Sequence, residues 1–275
     1  MQGIFKPIDF KEGITRLSRK GFDRGISTGH RNVEDYYRIK LGMMTIVTGT
    51  PGSGKSELID DFCIRLARRE GWKFAYFSPE NYPLEEHYSR LCERWTGISF
   101  HNLDAAALST CEKWISEHFT WIYPDEEKEP ISLDTILEKA RYLSELEGLD
   151  GLIIDPYNEL EHNMGNMSET TYISQFLSKV RRFARKHEIH VWIIAHPTKL
   201  QKDKTTGQYP VPTLYDISGS ANWRNKADFG LVVHRPNMLE HKIALYVQKV
   251  KFKHLGKLGE CSLKYIFENG RFEDV

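Results

Sequence analysis

The chain has 275 residues, of which 40% are apolar and 28% charged, a composition that is typical of a folded globular protein and excludes wholesale disorder. Its 38 Lys and Arg residues balance its 38 Asp and Glu residues, so any basic surface for nucleic acid must be local. Four widely scattered cysteines predict reduced thiols rather than a zinc site or a disulfide scaffold. The charged start and the short apolar runs predict neither a signal peptide nor a membrane span, and hence a protein of the cytoplasm of a bacterial or phage-infected cell, with an organelle matrix as the alternative.

The first 40 residues are polar and differ in composition from the rest of the chain. They contain a basic run and predict a short helix over about residues 9–20, followed by a glycine-containing loop. From residue 43 onward, short apolar runs alternate with longer amphipathic segments. We therefore expect an N-terminal linker segment over residues 1–30 and one α/β domain over residues 31–275.

Short apolar runs rich in β-branched and aromatic residues predict strands that are buried on both faces, at 43–48, 73–78, 151–155, 191–195 and 229–234. Helical patterns occur between these runs, at about 55–70, 83–95, 104–118, 132–147 and 169–187. This alternation predicts a mainly parallel sheet with helices on both faces. The segments 241–252 and 260–267 predict a C-terminal antiparallel hairpin at one edge of that sheet.

A glycine-rich loop follows the first predicted strand and opens a helix. This phosphate-binding loop matches GxxxxGK[ST] with the residues Gly49, Thr50, Pro51, Gly52, Ser53, Gly54, Lys55 and Ser56. Its backbone N–H groups converge on phosphate oxygens beside the positive end of a helix, Lys55 can reach the β- and γ-phosphates, and Ser56 can ligate Mg²⁺. The motif predicts ATP, or another NTP or dNTP, with Mg²⁺; the alternative is a glycine turn that only joins a strand to a helix.

Three polar residues follow other predicted strands, whose carboxyl ends should meet the phosphate-binding loop. Asp155 ends the run GLIID and predicts a carboxylate ligand for Mg²⁺, whereas the alternative is an aspartate that only starts a turn before Pro156. Glu80 follows the strand KFAYFS and could hold the attacking water as a general base, whereas the alternative is a solvated loop carboxylate. His196 ends VWIIAH and could hydrogen-bond the γ-phosphate, or it could simply cap the strand.

Six motifs follow one another in a fixed order along the chain: TGTPGSGKS (48–56), FSPEN (77–81), LIIDPYN (152–158), WIIAHPTK (192–199), SGSANWRNKADF (218–229) and QKVKFKHLGKLG (248–259). Their order and spacing resemble the RecA-like motor domain of ring-shaped replicative helicases, the DnaB and Twinkle-type (phage primase–helicase) family. The resemblance covers roughly residues 25–275. It implies that residues 31–275 form a RecA-like P-loop ATPase domain and that residues 1–30 contain the linker helix that packs on a neighbouring subunit.

The resemblance also implies roles for individual residues. Glu80 takes the position of the catalytic glutamate, and His196 that of the γ-phosphate sensor. Arg224 and Asn225 lie in the family's fourth motif and would couple the nucleotide state to DNA-binding loops.

The last motif departs from the family pattern. In the family, an arginine finger two residues after a lysine reaches the γ-phosphate of the neighbouring subunit. Here Lys253 stands at the finger position and Lys251 at the preceding lysine, and a lysine supplies only a point charge without the planar fork of an arginine. The alternatives are that Arg235 serves as the finger, or that Lys249, Lys251 and Lys253 line the solvent face of one strand.

The loop over residues 197–213 is long and basic at Lys199, Lys202 and Lys204. Lysines that track phosphates without reading bases suit a sequence-blind motor, although a solvated surface loop has the same composition. The resemblance implies an ATP-dependent DNA helicase that moves 5′-to-3′ on single-stranded DNA as a homo-oligomeric, hexameric ring, with a primase or a loader as a further partner. The alternative is a RecA-like module that binds DNA or a partner under ATP control, with slow turnover and no unwinding.

Overall fold

The structure is a computed structural model that describes residues 3–125, 128–205, 207–219, 221–237 and 239–275. The helices are α1 (Lys11–Lys20), α2 (Arg31–Glu34), α3 (Lys55–Glu70), α4 (Leu84–Thr96), α5 (Ala105–His118), α6 (Leu133–Leu146), α7 (Glu169–His187) and α8 (Asn222–Lys226). The strands are β1 (Met44–Thr48), β2 (Phe74–Phe77), β3 (Phe119–Trp121), β4 (Gly151–Ile154), β5 (His190–Ile194), β6 (Phe229–His234), β7 (Lys242–Val250), β8 (Gly259–Ile266) and β9 (Arg271–Asp274).

The described strands form a nine-stranded sheet in the order β3-β2-β4-β5-β1-β6-β7-β8-β9. The pairs from β3 to β6 are parallel, and those from β6 to β9 are antiparallel. The predicted fold class, a mainly parallel sheet with a C-terminal antiparallel hairpin, is therefore confirmed. The sequence patterns missed the short strands β3 and β9, and β9 extends the hairpin to three antiparallel strands.

Two apolar cores lie on opposite faces of the sheet, because each crossover helix returns to one face or the other. On one face, α3 and α4 contribute Leu58, Phe62 and Leu91 to the core. On the other face, α6 and α7 contribute Ile136 and Leu177. This arrangement leaves the ends of the parallel strands open, and ligands of such sheets bind at the carboxyl ends of the strands.

The predicted N-terminal helix is confirmed as α1, but none of its ten described residues is buried. Further on, Ile26 and Ile39 form an isolated backbone bridge with each other, and the fully buried Tyr37 and Ile39 belong to the core that α3 and α4 cover. The boundary between linker and domain at residue 30 stays a prediction. Among the described residues, no helix is long and apolar enough to cross a membrane.

The expectation of four reduced cysteines is wrong for one pair. Cys92 in α4 and Cys111 in α5 form a disulfide, with their Cα atoms 6.0 Å apart, whereas Cys63 and Cys261 stay as thiols. The two bonded cysteines are buried and 19 residues apart in the sequence. They meet because α4 and α5 lie side by side, which their spacing along the chain does not reveal.

His190 is a fully buried histidine at the start of β5, held as the neutral form. Its Nδ1–H donates to the backbone oxygen of Lys40 at 2.8 Å, so Nε2 accepts from the Thr45 hydroxyl at 2.8 Å. Burial lowers the pKa of His190 to about 4. The folded protein therefore binds this proton less readily than the unfolded chain, whose histidines titrate near 6.5.

This histidine should make the fold acid-sensitive between about pH 6.5 and pH 4. Between these values the unfolded chain binds the proton and the folded chain does not, so stability falls as the pH falls. We expect the contribution of His190 at pH 4.5 to be a loss of about 2 kcal/mol in the free energy of unfolding relative to pH 7.5. Urea unfolding of the wild type and of His190→Gln at both pH values measures it; the loss on acidification should be smaller in the variant, and an equal loss would contradict the assignment.

Candidate active site

The phosphate-binding loop connects β1 to α3, and its conformation depends on glycine at two positions. Gly54 has φ +89° at the start of α3, a backbone region that favours glycine. A Cβ atom on Gly49 would overlap the backbone oxygen of Val233 in the neighbouring strand β6. The hydroxyl of Thr48 donates to the backbone oxygen of Ala195 at 2.7 Å, which fixes the loop against the end of β5.

Two polar groups of this loop fit an anionic ligand. The Lys55 ammonium is buried and donates to the loop's own backbone oxygens, to Gly49 at 3.1 Å and to Thr50 at 3.2 Å. Burial lowers the pKa of Lys55, while the carboxylates of Asp155 and Glu80 act in the opposite direction. The Ser53 hydroxyl is buried and has no hydrogen-bond partner among the described residues. A polyphosphate would supply an acceptor for this hydroxyl and negative charge for the lysine.

Asp155 follows β4 directly and is 3% exposed. Burial raises the pKa of Asp155 to about 7; the charges of Asp60 and Glu80 act in the same direction, whereas a hydrogen bond from Ser56 and the charge of Lys55 oppose it. A cation bound here would favour the ionised carboxylate. Within the described part of the chain, no group of three or more His, Cys, Asp or Glu side chains is arranged to hold a metal ion. Mg²⁺ usually takes one or two protein ligands together with substrate phosphates, and Asp155 with Ser56 fits that pattern.

Glu80 lies in a 3₁₀ turn (Pro79–Asn81) that follows β2, and 52% of its side chain is exposed. Its Oε1 is 3.5 Å from Nε2 of His196, which follows the end of β5. The backbone N–H of His196 donates to Oδ1 of Asn158 at 3.3 Å, and its buried Nδ1 has no hydrogen-bond partner among the described residues. Glu80 is thus accessible to water, as a general base must be.

The sheet order explains why these residues meet. The strands β2, β4, β5 and β1 are consecutive parallel neighbours, so their carboxyl ends form one edge of the sheet, here called the carboxyl edge. This edge brings together Lys55, Glu80, Asp155 and His196, which the sequence placed after separate strands. Their chemical roles stay predictions.

The structure does not bring Lys251 and Lys253 to this site. Val250 ends β7 and pairs with Phe229, the first residue of β6, so both lysines follow β7 at the opposite, amino edge of the sheet. Phe229 pairs with Thr45 of the parallel strand β1, four residues before the phosphate-binding loop begins at Gly49. At the rise of a strand, four residues separate the amino edge from the loop by about 13 Å. A lysine of this hairpin therefore cannot serve the phosphate-binding loop of its own chain.

The alternative that three lysines line the solvent face of one strand is wrong, because β7 ends at Val250 and of the three only Lys249 belongs to it. Lys249 is partly buried, and its ammonium donates to the backbone oxygens of Arg224 and of Asn225, the latter at 2.9 Å. Lys251 donates to Oδ1 of the buried Asp228 at 2.7 Å. Lys249 is thus bound to α8, and Lys251 to the residue directly before β6, whereas Lys253 is exposed in the turn after β7.

Arg235, the other candidate for a finger, directly follows β6 at the carboxyl edge. Its Nε donates to the backbone oxygen of Glu240 at 2.9 Å. It therefore shares an edge with the phosphate-binding loop of its own chain, unlike Lys253.

The residues predicted to contact DNA, or to couple the nucleotide state to it, lie in two segments, one after β5 and one directly before β6. Lys199, Lys202 and Lys204 are exposed in the segment after β5. Arg224 and Asn225 lie in α8 at the amino edge, where the Arg224 guanidinium stacks on the Tyr215 ring at 5.3 Å. Thr206 of the predicted DNA-binding loop and Ser220 of the fourth motif lie outside the described residues.

Sequence reasoning missed the side chains that hold the turn of Glu80. Asn81 is bonded to Arg90 of α4 and to Ser78. Asn81 belongs to the motif FSPEN and could have been noticed there, but the pattern around Arg90 is that of an ordinary amphipathic helix.

Residues 25–274 match the family described as DnaB-like helicase C terminal domain. Over 99% of its length, the chain is 37% identical to a Twinkle homolog protein, chloroplastic/mitochondrial, of Arabidopsis thaliana. Over 90% of its length, it is 22% identical to a probable plasmid replicative DNA helicase of Chlamydia psittaci. The chain spans 40% of the first relative and 55% of the second.

A solved structure of a DnaB-like replicative helicase, described with its interactions with primase, superposes on the whole chain. It has a TM-score of 0.77 and 18% sequence identity, with 68% of that chain covered. This likeness confirms the predicted RecA-like fold. The family match over residues 25–274 confirms the resemblance seen in the six motifs. The chain belongs to the DnaB-like helicase family, and it corresponds to the C-terminal domain of that family.

Proposed function

We propose that this chain is the ATP-dependent motor of a DNA helicase that translocates on single-stranded DNA in the 5′-to-3′ direction. The observation that carries the proposal is the meeting of Lys55, Glu80 and Asp155 around one phosphate-binding loop at the carboxyl edge. A nucleotide-hydrolysing site needs these three groups: a cation for the phosphates, a base for water and a carboxylate for the metal. Membership of the DnaB-like helicase family supports coupling of that site to DNA.

In the proposed reaction, the loop and Lys55 bind the phosphates of ATP, and Glu80 orients a water molecule and accepts its proton. The water oxygen bonds to the γ-phosphorus while the bond to the bridging oxygen breaks, which leaves ADP and inorganic phosphate. Mg²⁺, held by Ser56 and Asp155, would neutralise charge on the phosphate oxygens. His196 lies beside Glu80. It would hydrogen-bond the γ-phosphate, and its position would then report whether that group is present.

A second positive side chain for the γ-phosphate, besides Lys55, comes from a second copy of the chain. Lys253 lies at the amino edge, and that edge of one copy can face the carboxyl edge of the next. We therefore assign Lys253 to the γ-phosphate of the neighbour in a hexameric ring, and Lys251, through Asp228, to holding the turn in place. Residues 1–30 serve as the linker to the adjacent subunit.

The exposed lysines of the segment after β5 would contact the DNA phosphates in the channel of the ring: Lys199, Lys202 and Lys204. Arg224 and Asn225 would relay the nucleotide state to this segment. A primase or a loader is the proposed further partner. The proposed location is the cytoplasm of a bacterial or phage-infected cell, and the chloroplastic/mitochondrial Arabidopsis relative makes an organelle matrix the second candidate.

Two measurements on the purified chain test this function together. ATP turnover is measured with and without single-stranded DNA, and the mass in solution is measured by light scattering with ATP and Mg²⁺. We expect a multimeric mass and a turnover that DNA stimulates. A chain that stays monomeric and hydrolyses ATP at a rate indifferent to DNA would contradict the proposal.

The second candidate function is an ATP-regulated binding module with slow turnover and no unwinding. The observation that favours it is Lys253, because a lysine stabilises the transition-state charge without the two-pronged contact of an arginine. Strand-displacement assays separate the candidates, since only the motor unwinds a forked duplex.

A further inference from the structure

The turn that carries Glu80 is held by its neighbour in sequence, Asn81. The Asn81 backbone N–H donates to the backbone oxygen of Ser78 at 3.0 Å, and its Nδ2 donates to the Ser78 hydroxyl at 2.7 Å. Its Oδ1 accepts from Nη2 of Arg90 at 2.5 Å. All polar atoms of the Asn81 side chain are thus used within this turn and in one bond to α4.

Arg90 also reaches the helix that follows the phosphate-binding loop. Its Nε is 3.9 Å from Oε1 of Glu57, the residue directly after Ser56. The other carboxylate oxygen of Glu57 accepts from the buried Arg94 and from the hydroxyl of Tyr265, the latter at 3.3 Å. One ion pair, between Arg90 and Glu57, and one hydrogen bond, between Arg90 and Asn81, therefore link the residue after Ser56 to the residue after Glu80; the 3.9 Å of the ion pair is too long for a hydrogen bond, and the buried Nε of Arg90 has no hydrogen-bond partner among the described residues.

The helices α3 and α4 are also joined by a second, fully buried contact. Nε2 of His87 in α4 lies 3.2 Å from Oδ2 of Asp60 in α3. Nδ1 of His87 accepts from the indole N–H of Trp121 at 3.0 Å, so Nε2 carries the proton and donates to Asp60. Arg90 thus starts from a rigid helix, and its guanidinium transmits the position of α3 to the turn of Glu80.

Glu80 itself has little direct support. Its carboxylate is half-exposed, and its Oε1 lies 3.5 Å from Nε2 of His196. The position of the carboxylate therefore depends on the short turn beneath it. A shift of about 1 Å in a reacting group can cost about 10²-fold in rate, so the support of this turn matters for hydrolysis.

We propose that Arg90 is a positioning residue for ATP hydrolysis, which bridges Glu57 and Asn81 and so sets Glu80 against the phosphate-binding loop. The proposal rests on the proposed function of Glu80. Arg90 acts through Asn81 and Glu57, so its effect is on turnover rather than on nucleotide affinity.

Replacing Arg90 by methionine should therefore lower the kcat of DNA-stimulated ATP hydrolysis by about 10- to 100-fold. The affinity for a fluorescent ATP analogue with Mg²⁺ should stay that of the wild type. Arg90→Lys should recover only part of the loss, because an ammonium cannot contact two partners in fixed geometry as the guanidinium does. Equal losses in affinity and turnover would assign Arg90 to binding and overturn the proposal.

The matched control is Arg68→Met. Arg68 in α3 is exposed and donates to the backbone oxygen of Trp95 in α4 at 3.3 Å, so it also links the two helices, but far from Glu80. We expect wild-type turnover for this variant. A similar loss in both variants would show that Arg90 acts through the general contact of the helices, which overturns a specific positioning role.

A double-mutant cycle with Glu80→Gln completes the test. If Arg90 acts through Glu80, Arg90→Met should cause no further loss in turnover once Glu80 is glutamine. Multiplicative losses would overturn the positioning role and leave the proposed function intact. Wild-type turnover of the Glu80→Gln single variant would overturn the proposed function itself, so the two failures are distinguishable.

Discussion

Replacing Glu80 by glutamine should lower DNA-stimulated ATP turnover by about 10²- to 10⁴-fold, the usual range for a general base. The amide has nearly the shape of the carboxylate, but it cannot accept the proton of the attacking water. Lys55 and the phosphate-binding loop are unchanged in this variant, so ATP should bind and stay bound. A motor with this change should stop unwinding DNA.

Turnover is measured by phosphate release and binding by a fluorescent ATP analogue, each with Mg²⁺ and single-stranded DNA. The matched control is Glu85→Gln in the exposed first turn of α4, which should keep wild-type turnover. Near-normal hydrolysis by the Glu80 variant would contradict its role as the base. If the Glu80 variant lost turnover but kept DNA binding, and the wild type did not unwind DNA, the ATP-regulated module would be favoured instead.

Mixing two inactive variants, Glu80→Gln and Lys253→Ala, should restore ATP turnover. Each variant alone lacks one group of every site, and the loss for Lys253→Ala should be about 10²-fold or more, as for other groups that stabilise transition-state charge. In a mixed assembly, some sites combine an intact Glu80 from one copy with an intact Lys253 from its neighbour. Recovery follows from the placement of the two residues at opposite edges of the sheet.

The control for this experiment is a mixture of Glu80→Gln with Lys55→Met. Both residues lie at the carboxyl edge, so every site in that mixture lacks at least one of them and turnover should not recover. Turnover is measured after subunit exchange has been verified with fluorescently labelled copies. Absence of recovery in the first mixture, despite exchange, would contradict the assignment of Lys253 to a neighbour.

The central fold could be predicted because its signals are local. A strand buried on both faces must be continuously apolar, and the predicted run 229–234 coincides with β6. The phosphate-binding loop is likewise a contiguous motif, and the predicted helix 55–70 after it coincides with α3. The alternation of strands and helices predicts parallel strands, whose carboxyl ends lie at one edge of the sheet. This alone is enough to place Glu80, Asp155 and His196 at the carboxyl edge.

What the sequence could not show depends on distant contacts. Lys251 follows an alternating pattern that predicts a solvated strand, yet it is bound to Asp228, 23 positions earlier. The strand predicted over 241–252 ends at Val250 in the structure, where the chain enters a turn. The hydrogen bond between Arg90 and Asn81 joins a helix to a turn, and the spacing of apolar residues in the sequence does not predict such a contact.

The opposite placement of the phosphate-binding loop and Lys253 also limits how copies of the chain can associate. A contact that joins these two regions uses different surfaces on its two sides, so it is heterologous and propagates head to tail rather than closing as a two-fold dimer. A linear array always keeps one unmatched loop at one end and one unmatched lysine at the other. Only closure into a circle removes both ends, so the last subunit to join completes two hydrolytic centres at once.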